Sequence, residues 1–237
     1  MKKAQLSPIV GAIIFAVVIL IMIGLFYNIA VGLSPVQSGF TCRLSAAAFA
    51  ATKPVGGGES WLGNLNCKTQ YLKIKKDGIY RYADGNYKKD IAYRNFQPKR
   101  ADYFVKRLFA RELSSCWKYI GEGKLDPFGE FDAQSKCIVC SQIDFEEYKN
   151  LDLSTFEDFL RENFVKDEEG HEMSYYSYLT QRASGDIKLK IVDTKPKSIV
   201  YYSKKQKLAW TITTKTDKSV QILDTAKVGQ ECEKLYG

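Results

Sequence analysis

Histidine is almost absent from this chain of 237 residues, which has only His171. The sequence has no recognisable Ser/His/Asp signature, and its triple glycine at 56–58 is not followed by the Lys-Ser/Thr pair of a phosphate-binding loop. A catalytic role is inferred only when a nucleophile, base or metal ligand has a recognisable setting. We therefore expect that the chain is not an enzyme, and we assign it no catalytic residue, metal or cofactor.

Charged side chains are missing from the whole stretch between Ala4 and Cys42. Within it, residues 9–33 are almost wholly apolar. About twenty such residues in a helix cross a bilayer core of roughly 30 Å, whereas the apolar core of a cleaved secretory signal has about 7–15. The sequence predicts a transmembrane helix at 9–33 that stays on the protein, with the lipid bilayer as its partner.

The flanking charges predict the orientation of this helix. Lys2 and Lys3 lie close to its start, whereas Arg43 and Lys53 are the nearest cations on the far side. The expected organisation is a cytoplasmic N-terminus at 1–8, a single pass at 9–33, a flexible Ser/Ala/Gly-rich tether at 34–60, and one extracytoplasmic domain at 61–237.

The N-terminal residues also carry a family resemblance. Lys3-Ala4-Gln5, followed by Ser7-Pro8 and an apolar run, resembles the class III signal peptides of archaeal type IV pilins and pilin-like proteins. The resemblance implies cleavage between Ala4 and Gln5 by a prepilin peptidase, a place at the cell surface, and other membrane or filament subunits as partners. The alternative is a plain, uncleaved signal anchor.

The soluble part has a weaker resemblance, carried by Cys116-Trp117, the Gly-Glu-Gly-Lys-Leu-Asp run at 121–126 and the Cys-x-x-Cys at 137–140. This succession is similar to that of uncharacterised archaeal membrane-anchored proteins. The similarity supplies a context for the domain but implies no activity.

Six cysteines follow the apolar run, and an even number in an exported domain predicts disulfides. The favoured pairs are Cys42 with Cys67 and Cys116 with Cys137 or Cys140, while Cys232 ties down the C-terminus. Two alternatives use the same residues: a surface thiol oxidoreductase with Cys137 and Cys140, or a zinc site drawing on Cys116, Cys137, Cys140, Cys232 and His171. Residues 137–145 read as a strand, in which residues three apart point to opposite faces, so the two thiols of Cys-x-x-Cys should have different partners.

The hydrophobic periodicity predicts an α+β domain with two or three helices on one face of a mostly antiparallel sheet. Asp77-Gly78 is typical of a hairpin turn, and residues 101–120 read as an amphipathic helix with Lys106 on its solvated side. Ser154 and Glu157 form a capping box that starts a helix ending near residue 165. Further helical turns are expected at 173–181, and further strands at 187–191, 198–202, 208–213 and 220–223.

The net charge of +8 raises the question of a nucleic-acid partner. The basic stretches at 73–76, 88–100 and 195–207 are interleaved with tyrosines. They also alternate with apolar residues, as the solvated face of a sheet does, so nucleic acid is not the expected partner. Anionic lipid head groups or an acidic cell-wall polymer are the stronger alternatives.

These observations together predict a single-pass, membrane-anchored extracytoplasmic module with a structural or interaction role. A pilin-like subunit or an accessory protein would have such a role. The alternative function is a surface thiol oxidoreductase or zinc-binding domain that uses Cys137 and Cys140.

Overall fold

The computed structural model describes residue 17 and residues 37–51, 65–83, 85–128, 135–148, 151–184, 187–191, 193–207 and 214–236. The chain divides into two compact units, Met1–Gln37 and Ser38–Gly237, and the description below concerns the second. The predicted membrane helix at 9–33 lies outside the described residues, apart from Val17, and so do Lys3, Ala4 and Gln5. Within the described ranges, no helix is long and apolar enough to cross a membrane.

Helices and strands are interspersed along the second unit. The helices are α1 (Gln37–Ala51), α2 (Ala101–Tyr119), α3 (Phe156–Glu162), α4 (Tyr175–Thr180) and α5 (Val228–Glu231). The strands are β1 (Gln70–Lys75), β2 (Gly78–Ala83), β3 (Asn86–Lys89), β4 (Ser135–Phe145), β5 (Phe164–Lys166), β6 (Glu172–Ser174), β7 (Lys197–Lys207), β8 (Thr214–Asp224) and β9 (Lys234–Tyr236).

Seven of these strands form one sheet in the order β3-β2-β1-β4-β7-β8, with β9 also pairing with β4. Most neighbours are antiparallel, as predicted, and Lys75 opposes Gly78 in the expected hairpin. Two pairs are parallel, β1 with β4 and β4 with β9. Strands β5 and β6 form a separate antiparallel pair. The α+β class with a mostly antiparallel sheet is thus confirmed.

Helix α2 covers one face of the sheet. Its side chains Leu108, Phe109, Leu113 and Trp117 are at most 1% exposed, and they belong to a core that includes Ile138, Ile143, Tyr201 and Val220 from β4, β7 and β8. Burying a large apolar side chain contributes roughly 1.5–3 kcal/mol, so this layer contributes substantially to the stability of the domain. Helices α3 and α4 extend the same core through Phe156, Leu160 and Leu179.

A smaller cluster lies on the opposite face of the sheet. It joins β4, β7 and β8 to α5 at the C-terminal end, through Cys137, Val139, Val200, Leu223, Val228 and Cys232. Strand β4 is therefore buried on both faces, which explains its almost continuous run of buried residues.

A β-bulge in β4 decides which of its side chains face α2. Val139 opposes Val200 and Ser141 opposes Ile199, so Cys140 is the extra residue. Cys140 and Ser141 both reach α2, through a disulfide to Cys116 and a hydrogen bond to Glu112. The bulge also shifts the alternation, so that Ile143 belongs to the same core as Ile138.

Residues 34–60, which the sequence assigns to a flexible tether, contain helix α1 in the structure. Ala46 is fully buried, Cys42 is 5% exposed, and Cys42 is bonded to Cys67. Alanine has the highest helix propensity, and the covalent bond and the burial add the tertiary support that a short helix needs. The part of this segment from 52 to 60 lies outside the described residues.

Four local predictions need correction. The helix predicted to end near residue 165 ends at Glu162, and Phe164–Lys166 form strand β5. Ser154 does not cap α3: Thr155 is the N-cap without a side-chain bond, and the Ser154 hydroxyl donates to Asp152 instead. Residues 187–191 lie beside β8, where the Lys188 carbonyl oxygen accepts a hydrogen bond from the backbone N–H of Ile222, but they do not form a strand. Lys106 is buried rather than solvated, because its ammonium donates to Thr155 at 2.8 Å. The predicted strand at 208–213 lies outside the described residues.

Candidate functional site

Three disulfides use all six cysteines of the chain. The expected bond between Cys42 and Cys67 is present. Of the two partners left open for Cys116 the structure has Cys140, and Cys137 is bonded to Cys232, which ties down the C-terminal segment as expected. The bonds link α1 to the segment before β1, α2 to β4, and β4 to the residue after α5.

The Cys137-x-x-Cys140 pair is therefore not a redox or zinc site in this structure. Cys137 faces the smaller cluster, and Cys140 faces α2. A thiol oxidoreductase of this type needs its two cysteines bonded to each other in the oxidised state, and zinc binds thiolates rather than disulfide sulfurs. The geometry supports neither alternative use of these cysteines.

A strained turn follows α2 and places a carboxylate in the interior. Gly121, Glu122 and Gly123 all have positive φ angles, of 77°, 54° and 76°. A Cβ atom on Gly123 would lie 3.0 Å from the Trp117 ring and 3.2 Å from the carbonyl oxygen of Arg182, so glycine is required there. Glu122 is the one described non-glycine residue with a positive φ, and it is only 2% exposed.

Both oxygens of Glu122 have partners. The Tyr178 hydroxyl donates to Oε1 at 2.8 Å, and Arg182 Nη1 donates to Oε2 at 3.1 Å. Burial, together with the bond to Glu122, raises the pKa of Tyr178. Strained backbone is often found at functional sites, but here the charge and the hydrogen bonds of the carboxylate are satisfied within the protein. The group fixes the turn against α4.

His171 lies in the turn between β5 and β6, where its ring approaches Asp167 and Glu169. Single ligand atoms of these three residues lie within 4.8 Å of one another. Asp167 Oδ1 already accepts the backbone N–H groups of Glu169 and His171, at 2.9 and 2.8 Å. Partial burial would raise the pKa of Asp167, but these bonds and the His171 ring lower it. The hydrogen bonds of the turn account for the grouping, and we assign no metal to it.

A cavity of about 630 Å³ lies beside β8, with Tyr176, Leu189 and Ile222 in its wall. Lys197 also lines it. Its side chain is only 5% exposed, and its ammonium is paired with both Asp193 and Asp224. The hydrogen bond from Lys197 lowers the pKa of each carboxyl. Burial would lower the pKa of Lys197, but its two carboxylate partners raise it.

Charges of both signs alternate around this cavity. Lys188 pairs with Glu231 at 2.9 Å, Lys195 with Asp193 at 3.6 Å, and Lys227 with Asp224 at 3.4 Å. Each of these lysines is thus paired, with three carboxylates shared among four ammonium groups. The cavity has the size of a small-molecule pocket, but its charges select no ligand of one sign.

The side chains on the outward face of β1, β2 and β3 are those of tyrosines and lysines, and we call this surface the tyrosine–lysine face. Its members alternate with the core residues Leu72, Ile74 and Ile79, and the register places Lys73 opposite Tyr80, Tyr80 opposite Lys89, and Tyr82 opposite Tyr87. The face comprises Tyr71, Lys73, Lys75, Tyr80, Tyr82, Tyr87 and Lys89. Tyr71 and Tyr82 are 44% and 47% exposed, so a large aromatic area meets solvent.

The basic stretches of the sequence lie in different parts of the fold. The stretches at 73–76 and 88–89 meet on the tyrosine–lysine face or at its edge. Lys99 and Arg100 precede α2, where the Arg100 guanidinium lies 4.9 Å from the centre of the Tyr103 ring. The stretch at 195–207 belongs to the distant strand β7. These stretches are separate in the sequence, and only the strand register brings the first two together.

No protein-family model matches this chain, and neither the curated proteins nor the solved structures include a significant match to it.

Proposed function

We propose that this chain is a single-pass, membrane-anchored extracytoplasmic module that works by interaction or assembly, as a pilin-like subunit or accessory protein. The observation that carries the proposal is the pairing of all six cysteines into three disulfides. Such bonds persist outside the reducing cytosol, and small exported domains depend on them. The uncharged run at 9–33 supplies a means of export and attachment.

The position of the disulfides supports a structural purpose. Cys116, Cys137 and Cys232 are at most 3% exposed, and Cys42 and Cys67 are 5% and 6% exposed. Cys140 is partly buried, and its partner Cys116 is buried, so each bond has at least one buried sulfur. Buried sulfurs are poorly accessible to attacking thiolates, whereas cysteines used in redox chemistry are partly exposed. The bonds therefore stabilise the domain rather than exchange during function.

The proposal includes processing at the N-terminus. Lys3-Ala4-Gln5 and the Ser7-Pro8 entry to the apolar run support cleavage between Ala4 and Gln5. Cleavage there would leave the apolar helix on the mature protein, where it would serve both as membrane anchor and as an assembly element.

The test is an intact-mass measurement on protein extracted from the native membrane, with thiols alkylated before and after reduction. We expect no alkylation without reduction, a gain of six alkyl groups after it, and a mass that lacks Met1 to Ala4. Free thiols in the unreduced native protein would overturn the extracytoplasmic assignment. A retained Met1 would overturn only the pilin-type processing.

Protease treatment of intact cells gives an independent measure of topology. We expect an exogenous protease to degrade the domain without cell lysis, and protection in intact cells would contradict the proposed orientation. Chemical crosslinking in the native membrane then addresses assembly: a ladder of crosslinked copies supports a pilin-like subunit, whereas monomers alone support the accessory role.

A further inference from the structure

Within the described part of the chain, the tyrosine–lysine face is the exposed half of one side of the sheet. On the same side, the half formed by β4, β7 and β8 packs against α5 in the smaller cluster. Tyr71 and Tyr82, by contrast, are 44% and 47% exposed. Their ring centres are 6.5 Å apart, and those of Tyr82 and Tyr87 are 5.2 Å apart, so the rings form one aromatic row. Tyrosine is enriched in protein interfaces, where its ring is buried and its hydroxyl finds a partner.

The charges of this face and its margin balance one another. The three ammonium groups and three carboxylates are those of Lys73, Lys75, Lys89, Asp77, Asp144 and Glu146. A surface without net charge selects neither an anionic nor a cationic partner. The whole chain carries a net charge of +8, so two copies repel each other on average. On this neutral face, two copies can approach without that repulsion.

The pairs within one copy leave these charges available to a partner. Lys75 lies 3.3 Å from Glu146, and Lys89 lies 3.6 Å from Asp77. The side chains of Lys89, Asp77 and Glu146 are 47%, 62% and 42% exposed. Exposed ion pairs contribute little to stability, so exchanging such a contact for one between two copies costs little.

Two rows of outward side chains run across β3, β2, β1 and β4, in that order. The first row consists of Tyr87, Tyr82, Tyr71 and Gln142. The second row consists of Lys89, Tyr80, Lys73 and Asp144. The second row has a cation at its β3 end and a carboxylate at its β4 end. Such a row is complementary to a reversed copy of itself.

A two-fold axis between two facing copies, parallel to the strands, reverses each row and sets it opposite the same row of the second copy. When the axis runs between β1 and β2, Lys89 of each copy faces Asp144 of the other. The Tyr80 ring faces the Lys73 ammonium of the other copy, which is a favourable cation–π arrangement. An axis along the row would instead set every charge opposite the same charge. The strand-parallel axis is therefore the favoured one.

The first row is complementary about the same axis. Tyr71 of each copy faces Tyr82 of the other, so aromatic rings meet aromatic rings. Tyr87 faces Gln142, whose amide can donate to or accept from the tyrosine hydroxyl. The strands of the two sheets are then aligned, as in the two sheets of a β-sandwich. Each contact occurs twice, as in any isologous interface.

We propose that the tyrosine–lysine face is the surface through which two copies of this chain associate, face to face about this axis. The inference rests on the proposed function and names the partner in assembly. Four strands about 4.8 Å apart give a footprint of roughly 300 Å². A stable complex in solution buries about 800 Å² per partner, so this contact needs the high effective concentration of a shared membrane. Because an isologous contact closes at two copies, longer assemblies would use the membrane helix.

The first measurement detects the contact between the charged rows. Full-length chain with and without nitrogen-15 is mixed in vesicles of a neutral lipid and treated with a carbodiimide, which joins an ammonium group to a carboxylate in contact. We expect linked Lys89 and Asp144 peptides in which one partner is labelled and the other is not. The link from Lys89 to Asp77 within one copy is the internal control and should carry one label. The control link without mixed-label Lys89–Asp144 links would overturn the proposal.

Charge-reversal variants test the symmetry of the contact. Energy transfer between fluorophores at the C-termini measures association in the same vesicles. Lys89→Glu alone and Asp144→Lys alone should each weaken association at least about tenfold, because like charges then face each other at two places. An equimolar mixture of the two variants should associate like wild type, since every facing pair again has opposite signs. A purely structural role of either residue cannot give this recovery, and a mixture that stays monomeric contradicts the proposed axis.

The aromatic row is tested by the double variant Tyr71→Ser/Tyr82→Ser. It should weaken association at least about tenfold, as expected when central aromatic residues of an interface are removed. The matched controls are Phe164→Ser and Lys166→Glu on β5, where Phe164 is 60% exposed, and they should associate like wild type. Thermal unfolding verifies that each variant is folded. Unchanged association of the folded double variant would show that another surface makes the contact.

Failure of this inference and failure of the proposed function give different results. An extracytoplasmic, disulfide-bonded chain that stays monomeric in the vesicles overturns this inference alone and leaves the face to a partner of another kind. A domain that faces the cytoplasm in intact cells overturns the proposed function and, with it, the role of this face in assembly at the cell surface.

Discussion

Cys140, the residue at which β4 departs from its register with β7, is bonded to Cys116 of helix α2. Three positions earlier in the same strand, Cys137 is bonded to Cys232 on the opposite face. A single strand thereby connects the helix layer on one side of the sheet to the C-terminal segment on the other.

The first prediction concerns these two bonds. The cysteines are 24 residues apart in Cys116–Cys140 and 95 residues apart in Cys137–Cys232, and a disulfide that closes a longer loop restricts the unfolded chain more. Replacing either pair by alanine should lower the free energy of unfolding by about 2–5 kcal/mol, with the larger loss for Cys137/Cys232. Denaturant titrations under non-reducing conditions measure the difference. Equal losses would show that chain entropy does not govern their contributions.

The second prediction concerns the buried carboxylate of Glu112. Its Oε1 accepts from Arg81 Nη2 at 2.7 Å, and its Oε2 accepts from Ser141 at 2.8 Å, while Arg81 also contacts Asp90. Glu112→Ala leaves Arg81 with one carboxylate and Ser141 without an acceptor, so we expect a loss of about 3 kcal/mol.

The control for Glu112 is Glu157→Ala, which removes an exposed ion pair with Arg161 on α3. Exposed pairs of this kind contribute little to stability, so this variant should unfold almost like wild type. If both variants behave alike in denaturant titrations, the network of Glu112 does not stabilise the fold.

The third prediction compares two serines. Ser174 is the N-cap of α4, and its side chain accepts from the backbone N–H of Ser177 at 3.1 Å, whereas Ser154 precedes α3 without capping it. Ser174→Ala should cost about 1 kcal/mol, the typical loss for an N-cap, and Ser154→Ala clearly less. Thermal or denaturant unfolding of both variants decides between them. A larger loss of stability for Ser154→Ala than for Ser174→Ala would contradict this prediction and would support the capping box that the sequence predicts.

The fourth prediction concerns pH. The bond from Lys197 lowers the pKa of Asp193 and Asp224 below 3.8 in the folded state, so their contribution to stability is present above pH 3.8 and is lost as the pH falls through the lowered values. Lys197 has a raised pKa, so its contribution is present below pH 10.5 and is lost as the pH rises further. We therefore expect the contribution of this cluster to the free energy of unfolding to be constant between pH 3.8 and pH 10.5.

The variant Lys197→Met tests this expectation, because methionine fills the same space without the charge. Its stability should fall less steeply than that of wild type when the pH is lowered from about 5 to about 2.5. The measurement is the denaturation midpoint as a function of pH, with Lys166→Met on β5 as the control. Parallel acid limbs for wild type and Lys197→Met would contradict the assigned coupling.

Local sequence patterns determined much of this molecule. The spacing of Val105, Leu108 and Leu113 is enough to define α2, because a helix needs one apolar stripe to pack on a core. The alternation of Tyr71, Leu72, Lys73 and Ile74, followed by Asp77-Gly78, likewise predicts the β1–β2 hairpin, although its turn residues are Lys76 and Asp77. The even set of cysteines after an uncharged run indicates disulfides.

The tertiary structure alone decided which of these elements meet. The parallel pairing of β1 with β4 joins residues about seventy positions apart, and no local pattern specifies such a partner. The bulge at Cys140 depends on the register with β7, and it lets Ser141 as well as Cys140 reach α2. Likewise, the tyrosine–lysine face exists only because hydrogen bonding between three strands brings Tyr71, Tyr82 and Tyr87 together. Periodicity along a chain determines which side of an element is apolar, whereas contacts between elements depend on non-local packing and register.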